Sequence, residues 1–319
     1  MSTAPDDPYK VMVFRPGDEE EFDLLFAENG IAPADPTQLR RKWWSFANPA
    51  GGAFFVVMSG REIAATSYLG GKAVCLAGKT QRGYEIGETA TKPAHQRKGL
   101  FSRLVTASEA HCAEREELIY GTPNGQSTPG YAKLGFEILE SPESWLFLVP
   151  NWRRILPWPR PRHAVRELSF AEYCDATQTF PRLNAVDRAY LEWRFANAPM
   201  AYRYFVVTRR GTSWHIALRL GALGKHPVLI ASECFANGAK ASVFESASAV
   251  RRAAAFGYGR STYTAIQLHC AWPRAKGKFI LGTRGIAAHR VLPICTVPPG
   301  RGSAAEWFER FQLSDCDIG

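Results

Sequence analysis

The sequence predicts an α+β (mixed α/β) protein made of two related domains in tandem. Three observations support this prediction. Helical and strand-like apolar spacings alternate along the first half of the chain. Two short segments of that half recur, in the same order, about 150 residues later. The length of 319 residues also suits two domains of ordinary size.

The first half is predicted to begin with helices and continue with strands before its longest helix. That helix, over 99–115, is amphipathic, with Leu100, Leu104 and Ala107 on one face. The elements expected, in chain order, are helices over 18–29 and 37–46, strands over 54–58, 62–69, 72–76 and 82–91, the helix over 99–115, a strand over 118–120, a helix over 127–134 and a strand over 144–149.

The repeat consists of two matched segments. Trp44–Pro49 resembles Trp193–Pro199, and Phe54–Val57 resembles Tyr204–Val207. Both copies have the pattern of a helix end, a turn broken by Asn and Pro, and an apolar strand. Two matches in the same order favour duplication over coincidence.

A proline- and arginine-rich stretch separates the two copies. Prolines fix the backbone and remove N–H donors, so this stretch is predicted to be an extended, solvated connector. The predicted division is an N-terminal domain over 1–150, a linker over 151–165 and a C-terminal domain over 166–319.

Composition excludes several classes of protein. The 7 cysteines are widely spaced and the 7 histidines show no ligand spacing, so no disulfide framework and no metal site are expected. The polar N-terminus and the lack of a long apolar run predict neither a secretory signal nor a membrane span. A cytoplasmic protein with reduced thiols is the simplest interpretation. The net charge of +9 indicates either a solvated basic surface or an anionic ligand.

The most informative segment is Thr91–Phe101, in which a strand ends, a basic turn follows and a helix begins. N–H groups at a helix N-terminus bind anions, and phosphate suits such a site well. Gly99 permits close backbone approach, while Arg97 and Lys98 add positive charge. On spacing alone, an ordinary strand–helix turn with surface cations fits equally well.

A second segment, Asn124–Phe136, follows the next predicted strand. With it, the sequence resembles the GNAT superfamily of acyl-CoA-dependent N-acyltransferases. Gln96–Phe101 resembles the pyrophosphate-binding signature of that family, although Phe101 stands where a Gly or Ala is usual. The second signature of the family is matched at Asn124, Tyr131, Lys133, Gly135 and Phe136, with Ser127 where Ala is usual.

The resemblance implies two GNAT-like domains, each with a central, mostly antiparallel sheet flanked by helices. It implies acetyl-CoA (coenzyme A) as co-substrate, bound by the first domain only, because Ser232–Ser242 in the second half lacks the signature. That second domain is interpreted as a degenerate copy. The residues expected to bind the cofactor are Ala90, Thr91, Gln96, Arg97, Lys98, Gly99, Leu100, Phe101, Asn124 and Tyr131.

The resemblance also implies direct transfer of the acyl group to a primary amine. Glu88 is the candidate base that takes the proton of the amine, and Glu85 is the second candidate. A backbone N–H near Ala90 or Thr91 would polarise the thioester carbonyl. Tyr131 would protonate the leaving thiolate, unless it is a core tyrosine packed under the loop.

The expected partner is a small-molecule or peptide amine: an antibiotic, amino sugar, polyamine, peptide N-terminus or lysine. A homodimer stays open, and no recognition motif supports a nucleic-acid partner. The alternative function is a non-catalytic acyl-CoA-binding or regulatory module, which would keep the cofactor loop without a working base.

Overall fold

The chain folds into two compact units. Unit 1 comprises Met1–Leu139 and Pro293–Ser303, and unit 2 comprises Glu140–Leu292 and Ala304–Gly319. The computed structural model describes residues 7–13, 28, 48–76, 78–139, 143–148, 164–180, 187–198, 200–223, 225–237, 243–259, 262, 265–269, 280–281, 286–291 and 294–297.

The described part of unit 1 is built on a seven-stranded sheet with the order β1-β2-β3-β4-β5-β15-β6. All neighbouring strands are antiparallel except β4 and β5, which are parallel. The strands are β1 (Tyr9–Val13), β2 (Gly52–Ser59), β3 (Glu62–Leu76), β4 (Lys79–Thr91), β5 (Leu118–Gly121), β6 (Glu137–Leu139) and β15 (Ile294–Val297).

Strand β3 is longer than its sequence indicates. The sequence predicts two strands separated at Gly70–Gly71, but one strand runs through both glycines. The reason is a close approach: the N–H of Gly71 donates to the carbonyl of Gly51 over 2.7 Å. A Cβ at Gly71 would lie 2.2 Å from the carbonyl oxygen of Ala50, so only glycine fits.

Two helices of unit 1 carry the predicted motifs. Helix α1 (Leu100–Ala113) covers one face of the sheet with Leu100, Leu104 and Val105 buried, as the amphipathic spacing predicts. Ala107 lies half-buried against the same cluster. Helix α2 (Thr128–Lys133) follows β5 and contributes the buried Tyr131.

The described part of unit 2 contains an eight-stranded sheet with the order β13-β14-β7-β12-β11-β10-β9-β8. Its helices are α3 (Phe170–Thr177), α4 (Arg188–Leu191), which continues into a π-helical turn (Glu192–Ala196), and α5 (Val243–Gly257). Its strands are β7 (Glu143–Leu148), β8 (Ala164–Leu168), β9 (Tyr202–Arg209), β10 (Thr212–Leu223), β11 (His226–Asn237), β12 (Ala265–His269), β13 (Ile280–Leu281) and β14 (Ile286–Val291).

The two units share one plan, which confirms the predicted fold class. In unit 1 the antiparallel strands β2, β3 and β4 are followed by α1 and by β5, parallel to β4. In unit 2 the antiparallel strands β9, β10 and β11 are followed by α5 and by β12, parallel to β11. The predicted helices over 18–29 and 37–46, and Trp44 with them, lie outside the described residues, apart from residue 28, which is helical.

Each sheet contains a strand that is inserted between strands distant from it in sequence. Strand β15, near the C-terminus, lies between β5 and β6 of unit 1. Strand β7, which follows β6 in the chain, lies between β12 and β14 of unit 2. By contacts, unit 1 therefore ends at Leu139 and takes up Pro293–Ser303, because strand pairing is non-local.

Candidate functional site

A gap opens between two parallel strands of unit 1. Strand β4 pairs with β5 only over Gly83–Glu85, yet β4 continues to Thr91. In the described part of the chain, no strand pairs with this edge of β4 beyond Glu85. Ala90 is buried and Thr91 half-buried along this stretch. The backbone groups on this edge of β4 can donate hydrogen bonds to an extended ligand and accept them from it.

Strand β4 carries a bulge at the same level. It has one residue more than β3 between the pairs Thr66–Ala90 and Tyr68–Gly87. The backbone of Glu88 lies at this bulge, whereas its side chain lies outside the described residues. Bulges re-aim side chains and are over-represented beside active sites.

The second candidate base, Glu85, forms a buried ion pair. Its Oε2 lies 3.1 Å from Nζ of Lys72, and the two side chains are 5% and 0% exposed. Because Glu85 alternates with Tyr84 and Ile86, which pack in the cluster of α1, the pair lies on the face of the sheet opposite α1. Glu85 thus neutralises a buried lysine, an interaction that its sequence position does not reveal.

The loop between β4 and α1 has an unusual backbone. A 3₁₀ turn (Pro93–His95) precedes it, and both Arg97 and Gly99 have positive φ angles, of 63° and 73°. Gln96, Arg97 and Lys98 are exposed, and Nε2 of Gln96 donates to the carbonyl of Thr91 over 3.4 Å. The first N–H groups of α1 have no intrahelical acceptor, so the loop offers donors and cations to an anion.

The departure at Phe101 is accommodated by helix α2. A Cβ at Gly130 would lie 2.6 Å from Cε1 of Phe101, so the absence of a side chain at Gly130 makes room for the ring. The ring of Phe101 also packs edge-on against Tyr131, with centroids 5.1 Å apart. The large side chain at position 101 is therefore directed onto α2.

Tyr131 is buried, with 4% of its surface exposed, and its ring contacts both Phe101 and Phe136. This packing ties α2 to the start of α1, because Phe101 belongs to the first turn of that helix. Phe101 of the first signature thus contacts Tyr131 of the second.

Asn124 has a local structural part in this site. Its Oδ1 accepts hydrogen bonds from the N–H groups of Gln126 (2.9 Å) and Ser127 (3.0 Å), while its carbonyl accepts from Thr128. These bonds form the turn that starts α2. Asn124 is exposed and sets the position of Tyr131 through this turn.

The sequence patterns miss the neighbours that hold the loop from outside. Nδ1 of His95 lies 3.0 Å from Oη of Tyr9, and Nε2 lies 3.0 Å from Oε1 of Glu62. The hydrogen bond from His95, with the charge of Lys92 nearby, lowers the pKa of Glu62. These contacts join residues up to 86 positions apart, so no local pattern signals them.

Unit 2 has the same strand geometry with different chemistry. Strand β11 pairs with β12 over Val228–Ala231 and then continues to Asn237. The buried carboxylate of Glu233 accepts a hydrogen bond from Oη of Tyr173 over 2.8 Å. The segment 238–242, where a phosphate loop would stand, lies outside the described residues.

The described residues contain neither a metal-binding cluster nor a membrane-spanning helix. No group of three or more His, Cys, Asp or Glu side chains in that part of the chain is arranged to hold a metal ion. Among its helices, none is long and apolar enough to cross a membrane.

Comparison with known proteins matches this site to one family. Residues 15–139 match the family model described as an acetyltransferase (GNAT) domain. No curated protein sequence matches the chain.

Solved structures share the fold over most of the chain. A conserved protein from Enterococcus faecalis V583 has a TM-score of 0.61 at 14% identity, covering 90% of this chain and 72% of that one. A GCN5-related N-acetyltransferase from Kribbella flavida has a TM-score of 0.59 at 14% identity, with 92% and 72% covered. A tandem GNAT protein from the clavulanic acid biosynthesis pathway has a TM-score of 0.58 at 11% identity, with 91% and 98% covered.

Proposed function

Because residues 15–139 match the model of a GNAT acetyltransferase domain, we propose that this protein is an acyl-CoA-dependent N-acyltransferase that moves an acetyl group from acetyl-CoA to a primary amine. Unit 1 holds the site. Unit 2, which lacks the signature residues, is proposed to be a degenerate copy without a cofactor site.

One observation carries the proposal: an exposed basic loop follows the edge of β4 that no described strand pairs with beyond Glu85. The loop offers Arg97, Lys98 and the start of α1 to a pyrophosphate. The unpaired edge of β4 runs from Glu85 to Thr91, next to that loop, and its backbone groups could hydrogen-bond the extended pantetheine arm. The residues present therefore fit coenzyme A.

Bound acetyl-CoA would supply the activated thioester. For its part, the chain would orient the thioester through backbone N–H groups of β4 near Ala90 and Thr91, which would polarise its carbonyl oxygen. Thr89, beside them, is fixed by a hydrogen bond of 3.1 Å between its Oγ1 and Oγ of Ser67. This bond holds the bulge and with it the backbone that would orient the thioester.

Two side chains are proposed to move protons. Glu88, at the bulge, would accept the proton of the amine as its nitrogen bonds to the acyl carbon. Tyr131 would donate its phenolic proton to the sulfur as the carbon–sulfur bond breaks. Packing against Phe101 and Phe136 fixes the phenol ring, so little ordering is required at the moment of transfer.

The test is thiol release from acetyl-CoA with a panel of amines: an aminoglycoside, glucosamine, spermidine and a lysine-containing peptide. Tyr131→Phe keeps the ring and should lower kcat by about 10²-fold, the range for a positioned acid. CoA affinity should change little, because the phosphates bind at the loop. Tyr204→Phe, a buried tyrosine of unit 2, is the matched control and should keep its activity.

Two results would contradict the proposal. If the parent protein binds CoA but releases no thiol with any amine, the non-catalytic module is favoured. If Tyr131→Phe keeps kcat within about threefold of the parent, Tyr131 is not the acid.

A further inference from the structure

The loop at Gln96–Gly99 is costly to hold in place. Arg97 has a φ of 63°, in the left-handed region that non-glycine residues avoid, and Gly99 follows at 73°. Such a conformation is unfavourable for a non-glycine residue and persists only where the surroundings enforce it. Something outside the loop must therefore fix both of its ends.

The upstream end is fixed through His95. Its imidazole lies between Oη of Tyr9 and the carboxylate of Glu62, at 3.0 Å from each. A neutral imidazole satisfies both partners: the phenol donates to Nδ1, and Nε2–H donates to the carboxylate. The same carboxylate oxygen lies 3.5 Å from Nζ of the buried Lys92, which opens the turn. His95 immediately precedes Gln96, so these bonds leave the start of the loop little freedom.

The downstream end of the loop is fixed by the residues at the start of β1. Nη1 of Arg103, in the first turns of α1, donates to Oδ2 of Asp7 over 2.5 Å and to the carbonyl of Tyr9 over 3.4 Å. The hydrogen bond from Arg103 lowers the pKa of Asp7, which keeps that carboxylate charged. The ring of Tyr9 also lies 5.7 Å from Nζ of Lys98 and 5.8 Å from the guanidinium carbon of Arg103.

We infer that Asp7, Tyr9 and Glu62 form a clamp that holds the loop in its binding conformation and thereby sets the affinity for CoA. This inference rests on the proposed function of the loop. The clamp residues are positioning residues, since they act through His95, Lys98 and Arg103. Asp7 lies just before β1, Tyr9 begins β1 and Glu62 begins β3, so all three lie outside the two signatures.

Charge and clamping make opposite predictions for Glu62. CoA is a polyanion, so removal of a nearby negative charge should by electrostatics alone strengthen binding. Glu62→Gln should instead weaken it if the clamp matters, because the carboxylate that holds Nε2 of His95 is lost. Tyr9→Phe removes one hydroxyl without changing charge, and should also weaken binding.

The experiment uses the full chain. Calorimetric titration with CoA should show dissociation constants about five- to tenfold higher for both Tyr9→Phe and Glu62→Gln, the loss expected for one hydrogen bond or slightly more. Hydrogen exchange of the amides in 96–101, measured without ligand, should be faster in both variants. If both variants have reduced CoA affinity while kcat at saturating acetyl-CoA is preserved, the effect is on binding.

Matched controls come from the same chain. Tyr258→Phe removes a hydroxyl that donates to the carbonyl of Leu218 in unit 2. Glu114→Gln removes an exposed carboxylate at the far end of α1. Neither control should change CoA affinity or exchange in the loop.

The outcomes separate the clamp from the proposed function. If the parent binds no CoA, the proposed function fails, and unchanged loop exchange in the variants would then overturn the clamp as well. If the parent binds CoA and both variants bind within about twofold of it, the clamp is wrong and the function stands. Weaker binding without faster exchange would also overturn it, because the side chains would then act on CoA directly.

Discussion

The buried ion pair of unit 1 gives the sharpest prediction about stability. Lys72 and Glu85 lie 3.1 Å apart with side chains that are 0% and 5% exposed. Lys72→Met removes one charge and leaves the carboxylate of Glu85 buried without this partner. Breaking a buried pair in this way costs about 3–5 kcal/mol of unfolding free energy. In a unit of this size that corresponds to a fall in Tm of roughly 10 °C.

Replacing both charges should largely reverse the loss. The double variant Lys72→Met/Glu85→Leu keeps a similar volume and leaves no buried charge, so its unfolding free energy should lie within about 1 kcal/mol of the parent or above it. Differential scanning calorimetry, with circular dichroism as a second probe, measures each transition. Lys79→Met, an exposed lysine of β4, is the control and should shift stability by less than about 0.5 kcal/mol.

The reasoning is refuted in either of two ways. If Lys72→Met unfolds at the same temperature as Lys79→Met, water reaches the pair and its burial contributes nothing. The double variant could instead be as unstable as the two single losses added together. In that case the charges do not interact, and each side chain matters for its own packing.

Three further predictions test local features. Gly99→Asp should abolish thermal protection by CoA, because it adds a negative charge beside the pyrophosphate. Gly99→Asn has a similar shape and tolerates positive φ, so it should keep most of that protection; an equal loss of protection in both variants would point to the backbone. Gly130→Ala should lower the unfolding free energy by about 1–3 kcal/mol, because its methyl group would meet the ring of Phe101 at 2.6 Å. Adding Phe101→Leu should restore that stability, and calorimetry that shows no restoration would contradict the contact. Hydrogen bonds from the backbone N–H of Ser169 and the side chain of Arg166 lower the pKa of Glu172 from 4.5 to about 2. The stabilising effect of its carboxylate is therefore present above pH 4.5 and is lost as the pH falls towards 2. Glu172→Gln should flatten this part of an acid-unfolding curve.

Local patterns predicted the elements whose chemistry is local. The amphipathic spacing of 99–115 gave a helix observed over Leu100–Ala113, and the loop before it followed from a basic turn between a strand and that helix. The second signature likewise led to α2 and to the buried Tyr131.

Long-range contacts escaped prediction. Strand β1 is short and lies at the edge of its sheet, and only its pairing with β2 makes it a strand. The contact of Tyr9 with His95 joins residues 86 positions apart, and that of Asp7 with Arg103 joins residues 96 apart. The room that Gly130 leaves for the ring of Phe101 could not be predicted either, because only the fold brings the first turns of the two helices together.

The position of β15 between β5 and β6 also bears on how the protein folds during synthesis. Strands β5 and β6 emerge early, but β15, which fills the position between them, is 155 residues further along the chain than Leu139. At about 5–20 residues per second, roughly 10–30 s pass before that strand is synthesised. Throughout this time the edges of β5 and β6 that later pair with β15 stay unpaired. A chaperone that shields strand edges would find its target in that interval.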